Sequence, residues 1–328
     1  MTTIVRGYAN GASVPYNGDK SYDNWLPSFN MKVNLTDEFL VRFGYSKAMA
    51  RPDLGLTRSY FTIRNTTNAD TGDWMLRADT GNPFLRPIKS TQFDLSGEWY
   101  FSRVGQLSAS FFYKELKDVW TNGYYSIDTT NNGVTLPVTV VAPINSPETG
   151  KMQGFELAYQ QFFDMLPGFW SGFGVQANYT YIDSKGVPQA ILDNSGTGGT
   201  ASNIAKVDTS FLPLTNMSKD NVNFQLMYAK GPVDARIAYS WRSAYLLTVR
   251  DVITPFSPIM NEDTGQLDAS FMYSINDNVK VGVQAINLTD EVVKTSQVLE
   301  ADADHVLSGG RSWFMSDRRV SAIVRVTF

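Results

Sequence analysis

Apolar and polar residues alternate with a period of two along most of this chain. Phe39, Val41, Phe43 and Tyr45 point one way and Leu40, Arg42, Gly44 and Ser46 the other, the pattern of a strand with two unlike faces. Just before them Phe29, Met31, Val33 and Leu35 alternate with Asn30, Lys32 and Asn34. Only Thr36-Asp37-Glu38 separates the two runs, which predicts a hairpin. The unit recurs. Phe93–Phe101 turns at Ser102–Gly105 into Leu107–Tyr113, and Phe155–Gln160 turns at Asp164–Gly168 into Phe173–Tyr181. Val222–Tyr228 turns at Lys230-Gly231-Pro232 into Val233–Trp241, and Leu267–Ile275 turns at Asn276–Asn278 into Val279–Ala285. Val320–Phe328 closes the chain. The prediction is eleven antiparallel strands.

Their connections follow a rule. Odd-numbered strands end in turns of three to five residues, and even-numbered strands end in long polar segments: 50–89, 116–150, 184–219, 243–264 and 289–310. Five structureless loops of that length count against a compact soluble domain. Short turns at one rim and long loops at the other are the expected asymmetry of an outer-membrane barrel. Aromatics gather at strand ends (Trp99 and Phe101, Phe162 and Phe163, Tyr179 and Tyr181, Tyr239 and Trp241), as interfacial girdles require. A propeller or stacked sandwich shares the alternation. It does not explain the loop asymmetry, or a polar face opposite an apolar one in every strand.

Composition fits a two-faced sheet. Of 328 residues, 43% are hydrophobic and 18% charged, yet mean hydropathy is −0.21, so apolar and polar residues must be finely interleaved. No apolar run approaches the roughly 18–20 residues of a membrane helix, and Met1–Arg6 has neither the basic nor the apolar region of a signal peptide. The net charge of −4 argues against nucleic-acid binding, which needs a basic surface. With no cysteine and one histidine, His305, thiolate sites, most zinc sites and most catalytic triads are excluded.

Eleven strands is odd, whereas bacterial single-chain barrels have even counts. Residues 1–22 are expected to be the remnant of an outer loop. Residues 23–328 are expected to be the C-terminal half of a 22-stranded barrel of the plugged-transporter kind. Such a half has two open edges, at residues 23–35 and 311–328.

Specific strings carry a resemblance. Asn82-Pro83-Phe84-Leu85-Arg86-Pro87 precedes Phe93-Asp94-Leu95 and Glu98-Trp99-Tyr100-Phe101. These are followed by Ser110–Lys114, Gly154-Phe155-Glu156-Leu157, Tyr179-Thr180-Tyr181, Asn287-Leu288-Thr289-Asp290 and Arg325-Val326-Thr327-Phe328. In order and spacing, from about Asn24 onward, these strings resemble the C-terminal barrel of TonB-dependent receptors. They are most similar to the subfamily of proteobacteria that scavenge plant and polymer carbohydrates. The resemblance implies location in the outer membrane and capture of cargo by outer loops and a plug. It also implies energy delivered through TonB to an N-terminal region absent here, and no cofactor. Phe328 would be the signal read by the barrel-assembly machinery. A polar row would face plug and water: Lys32, Arg42, Asp94, Glu98, Lys114, Glu156, Gln176, Asp234, Arg236, Arg242, Asp268 and Arg325. Most of these charges are expected only to solvate the lumen and hold the plug.

Several strings mimic enzymes. Asp70-Thr71-Gly72, Asp79-Thr80-Gly81 and Asp263-Thr264-Gly265 spell the aspartic-protease triplet, but their polar contexts suit turns, not two carboxylates sharing a proton. Gly172–Ala177 matches a dinucleotide fingerprint but opens a strand rather than a helix. Asp302, Asp304 and His305 could hold a cation, although a solvated outer loop explains them. Without an acid/base set, a barrel enzyme is disfavoured.

The candidate ligand residues are in the first two long segments. Tyr60, Phe61, Trp74 and Phe84 accompany Arg58, Arg64, Arg77 and Asp73, and Trp120, Tyr124 and Tyr125 accompany Asn122. Aromatic faces beside hydrogen-bonding groups suit the apolar faces and hydroxyl fringe of sugars. An oligosaccharide is therefore the expected cargo, with Tyr60, Arg64, Trp74, Arg77, Trp120 and Tyr124 as contacts. Girdle or loop-packing roles are the alternative for these aromatics. The arginines suit an anionic ferric siderophore, and a passive porin is the reading from another class.

Overall fold

The computed structural model describes residues 8, 18–67, 74–187, 206–207, 212–249, 251, 257–301 and 306–327. The strands in the first half are β1 (Ser28–Asn34), β2 (Phe39–Ala50), β3 (Phe61–Thr67), β4 (Trp74–Thr80), β5 (Ile88–Ser102), β6 (Gly105–Lys117), β7 (Trp120–Asn131), β8 (Val134–Asn145) and β9 (Gly150–Phe162). A 3-10 helix, Gly168–Gly172, leads into β10 (Phe173–Lys185), followed by β11 (Lys206–Val207), β12 (Asp220–Lys230), β13 (Val233–Arg242) and β14 (Tyr245–Thr248). The remainder are β15 (Ile259–Asn261), β16 (Thr264–Ser274), β17 (Val279–Ile286), β18 (Val292–Ala301), β19 (Val306–Met315) and β20 (Arg319–Val326).

Eleven of these form one antiparallel sheet in the order β1-β2-β5-β6-β9-β10-β12-β13-β16-β17-β20. They are the eleven strands that the alternation predicts. Local chemistry closes the hairpins. The Thr36 hydroxyl accepts from the Glu38 and Phe39 amides at 3.2 and 2.9 Å, and the Asn276 carbonyl does the same for Asn278 and Val279; such side chains favour tight turns. Gly231, at φ +60, takes the left-handed conformation that glycine tolerates. One turn is longer than predicted. Residues 163–172 replace the expected Asp164–Gly168 because the 3-10 helix carries Phe169 and Trp170 back against Phe173 and Tyr228.

Register fixes the two faces. Arg42 pairs with Ser96, Ser96 with Ser110, Ser110 with Glu156, Glu156 with Thr180, Thr180 with Asn221 and Asn221 with Arg242. The period of two then adds Glu98, Lys114 and Arg236 to the same polar face. The other face is apolar and exposed, with Phe93, Leu95, Phe111, Leu157, Phe224, Ile237 and Val283 uncovered. Aromatic pairs lie along it: Trp99–Phe101 (5.2 Å) and Phe173–Tyr228 (5.0 Å) at the turn end, and Tyr45–Phe93 (5.0 Å) and Phe155–Tyr179 (5.7 Å) further toward the long segments. Phe162 departs from the expected girdle, since its ring lies over Gly174 on the polar face. Gly154 has no room for a side chain: a Cβ there would lie 1.9 Å from the Tyr181 carbonyl. The sheet is open, with β1 and β20 at its edges among the described residues.

The long segments are not the polar loops expected. The first two fold together as a four-stranded sheet, β3-β4-β8-β7, and the later ones as a second sheet, β11-β18-β15-β14, with β19 on β18. These outer sheets hold the buried cores that the main sheet lacks. Leu76, Ala78, Val138, Val140 and Ala142 pack together with Tyr8, and Leu246, Ile259 and Val298 are buried in the second sheet. Pro137 and Pro143 hide the alternation of Val138, Val140 and Ala142 from a strand reading.

Candidate functional site

The first outer sheet stands on the ends of the main sheet. β7 begins three residues after β6 ends, and β8 ends five residues before β9 begins. The segment 82–87 straps this junction. Asn82 donates to the Pro143 carbonyl at 3.0 Å and accepts from the Phe84 amide at 2.9 Å. Asn145 accepts from the Arg86 amide at 2.8 Å and donates to the carbonyls of Arg86 (3.0 Å) and Asp118 (2.8 Å). Trp120 Nε1 donates to the Arg86 carbonyl at 2.8 Å, and the Arg86 guanidinium meets Asp118 at 2.6 Å. Leu85 and Pro87 are buried beneath. The Asn-Pro-Phe-Leu-Arg-Pro string is thus the clamp between loop and wall. Asn145→Ala, which breaks three of these bonds, is expected to free the strap: hydrogen exchange at residues 82–87 and 118–120 rises about tenfold or more while the main sheet stays protected.

The predicted ligand residues do not converge as a set. Trp74 lies two residues before Leu76, the partner of Val138, whereas Trp120 pairs with Asn145. The two indoles are therefore about 30 Å apart along β8. Trp74, 44% exposed, is at the far tip. Tyr60 and Trp120 share the end next to the main sheet, across a four-stranded width of about 14 Å. Tyr60 is 67% exposed, with Arg58 over its ring at 5.7 Å, and Phe84 nearby in the strap is 47% exposed.

The arginines are differently placed. Arg64 and Arg77 are cross-strand partners, and both bind the Asp79 carboxylate, Arg77 at 2.9 Å. Arg77, expected as a ligand contact, is buried and braces the sheet through Asp79. Asp79 and Thr80 lie in β4, and Thr264 and Gly265 open β16. The two described protease-like triplets are therefore strand termini and not turns. The third, Asp70-Thr71-Gly72, lies outside the described residues, as do Asp302, Asp304, His305, Phe328 and the Tyr124 side chain. The Gly172–Ala177 string opens β10, as the sequence indicates.

Two further clusters were not visible in sequence. In the second outer sheet buried Asp251 accepts from Arg311 at 2.6 and 2.9 Å and from Gln297 at 2.8 Å, and its carboxylate holds the Arg311 pKa above the ordinary value. Asn287, buried with φ +56, ties the last outer hairpin to the wall. It donates to the Ser316 carbonyl at 2.8 Å, accepts from the Glu291 amide at 2.8 Å, and gives its own amide to Asp268 at 2.9 Å. On the polar face Glu98 accepts from Arg42 and Tyr100, both at 2.7 Å.

An open, two-faced antiparallel sheet with an exposed apolar band, aromatic pairs along it and structured loops on one side is the wall of an outer-membrane β-barrel. A family model, TonB dependent receptor-like, beta-barrel, matches residues 3–288. The chain belongs to that family, one of outer-membrane receptors and transporters. It is similar in fold to the siderophore receptor PirA from Acinetobacter baumannii (TM-score 0.62, 16% identity, 93% of this chain and 41% of that one). It is similar to the ferric enterobactin receptor PfeA from Pseudomonas aeruginosa in complex with enterobactin (mutant Q482A; 0.62, 16%, 92% and 40%). The copper transporter OprC also matches (0.56, 16%, 92% and 39%). The chain spans about two-fifths of the length of these solved structures. No curated protein sequence matches it.

Proposed function

We propose that this chain forms part of the wall and outer loops of a TonB-energised transporter for neutral oligosaccharides. The polar face, with Arg42, Glu98, Lys114, Glu156, Arg236 and Arg242, is its lumenal side. The edges at β1 and β20 pair with further strands of the full receptor, since hydrocarbon cannot satisfy their backbone groups. Assembly of the barrel in the membrane reads Phe328, two residues beyond the end of β20.

One observation carries the choice of cargo. At the junction of loop and wall Arg86 is paired with Asp118, and further out Arg64 and Arg77 share the single Asp79 carboxylate, while Tyr60, with Arg58 over its ring, and Phe84 stay exposed. The two exposed rings at this end, Tyr60 and Phe84, favour the apolar face of an uncharged sugar ring, and the carboxylates of Asp79 and Asp118 offset part of the arginine charge that would draw a trianionic iron chelate. A ferric siderophore is the second reading, supported by the names of PirA and PfeA. Isothermal titration of the full-length receptor with neutral oligosaccharides and ferric enterobactin separates the two. Tyr60→Ala and Phe84→Ala are each expected to weaken sugar binding by about 1–3 kcal/mol, the loss of an aromatic anchor. Tight chelate binding with no sugar binding in the unmodified receptor would replace the first reading by the second.

A further inference from the structure

The polar face is not uniform. On β1, β2, β5 and β6 it carries Lys32, Arg42, Asp94, Glu98 and Lys114. On β10 and β12 it carries no ionisable side chain from Gly174 to Ser184 or from Asn221 to Met227. Carboxamides take their place. Gln106 pairs with Gln160, Gln160 with Gln176, and Gln176 with Gln225. One step nearer the loops, Asn178 pairs with Asn223, Asn223 with Ser240, and Ser240 with Gln266.

The two rows form one diagonal strip across six strands, from the turn end of β6 to the loop end of β16. Two hollows follow it. One of about 320 Å³ is lined by Gln106, Gln160, Gln176 and Asn178, and one of about 420 Å³ by Ser240 and Gln266 together with the charged Arg242, Asp268 and Glu291. Asn223 and Gln225 line both. Asn223 accepts a hydrogen bond from Ser240 at 2.6 Å. Gln106, Gln160, Gln176, Asn178 and Gln225 make no side-chain hydrogen bond within the described residues.

We infer that this strip is the path along which an uncharged, hydroxyl-rich cargo crosses the barrel. The inference rests on the oligosaccharide reading and extends it from capture at the loops to passage along the wall. A carboxamide offers both donors and an acceptor, so successive amides match successive hydroxyls whichever way each points. Neutral hydrogen bonds exchange against water at little net gain, so the cargo is held at each step yet released to the next. The charges enter only at the β13–β16 end, where Gln266 donates to Asp268 at 2.9 Å; from β6 to β12 the repeat is of amides alone. The charged sectors beside the strip are left to grip the plug.

The test uses the full-length receptor in cells, with radiolabelled maltohexaose and xylohexaose as probes. Asn223→Asp with Gln225→Glu places carboxylates on the strip at almost unchanged shape, and Gln176→Ala with Gln225→Ala removes amides without adding charge. Either pair is expected to slow energised uptake about fivefold or more, the loss of two neutral hydrogen bonds from the route. Binding to de-energised cells and exclusion of vancomycin stay as in the unmodified receptor. Unchanged uptake, or binding and uptake falling together, overturns the path. Vancomycin entry also overturns it, because the amides would then be holding the plug. An unmodified receptor that takes up ferric enterobactin and neither sugar overturns the cargo reading and the path with it. Sugar uptake that is equal in variant and unmodified receptor overturns the path alone.

Discussion

Arginine at Phe111 is expected to remove about 2–4 kcal/mol from the stability of the receptor in a bilayer, while arginine at the adjacent Ser110 costs a small fraction of that. The two residues are neighbours in β6 and differ only in face. Phe111 is 58% exposed on the apolar side, opposite Leu95 and Phe155. At the middle of β6, with its ring 6.2 Å from that of Phe155, an arginine there has neither headgroup nor water within reach. Ser110 lies between Ser96 and Glu156 on the polar side, where a guanidinium finds water and a carboxylate. Urea unfolding of the full-length receptor in lipid vesicles measures both. Equal costs at the two positions would contradict a lipid-facing apolar side.

Leu76→Ala is expected to cost the first outer sheet about 2–5 kcal/mol, the usual range for a buried leucine. Leu76 is 5% exposed and packs in the cluster with Ala78, Val138, Val140 and Ala142. The loss should stay local, because this core is built from β3, β4, β7 and β8 and joins the main sheet through the 82–87 strap. Hydrogen exchange is expected to quicken at 61–67, 74–80 and 120–145 while β5, β6 and β9 stay protected. The variant barrel is also expected to keep its heat-modifiable migration. Simultaneous loss of protection in the main sheet would mean that wall and loop sheet unfold as one unit.

The asymmetry between these two substitutions reflects how much of each region could be read from sequence. Alternation is a local property: Phe111 and Ser110 fall on opposite faces because successive side chains in a strand must. The same rule placed Arg42, Glu98, Lys114, Glu156, Arg236 and Arg242 on one side. Thr36, Asn276 and Gly231 marked hairpin turns through their own side-chain or backbone chemistry. The ten-residue turn at 163–172 escaped because its ends are set by Phe169 and Trp170 packing on Tyr228, a residue nearly sixty positions away.

The site was less legible, for a related reason. Tyr60, Trp74 and Trp120 were recognisable as ring-bearing residues, but their separation depends on β4 pairing in parallel with β8, which joins Leu76 to Val138. No local pattern encodes that pairing. Arg77 was grouped with the candidate contacts as a hydrogen-bonding residue near Trp74 in the chain, and its burial against Asp79 depends on the arrangement of β3, β4 and β8. The amide strip is the same case in reverse. Gln106, Gln176 and Gln225 are unremarkable where each stands in the chain, and inter-strand register alone makes them neighbours. By itself, then, the sequence determined eleven strands, their two faces and most of their turns, because these follow from residues within a few positions of one another. The tertiary structure decided the outer sheets, the strap at Asn145 and the grouping of the candidate contacts, because each depends on pairing between segments the sequence keeps far apart.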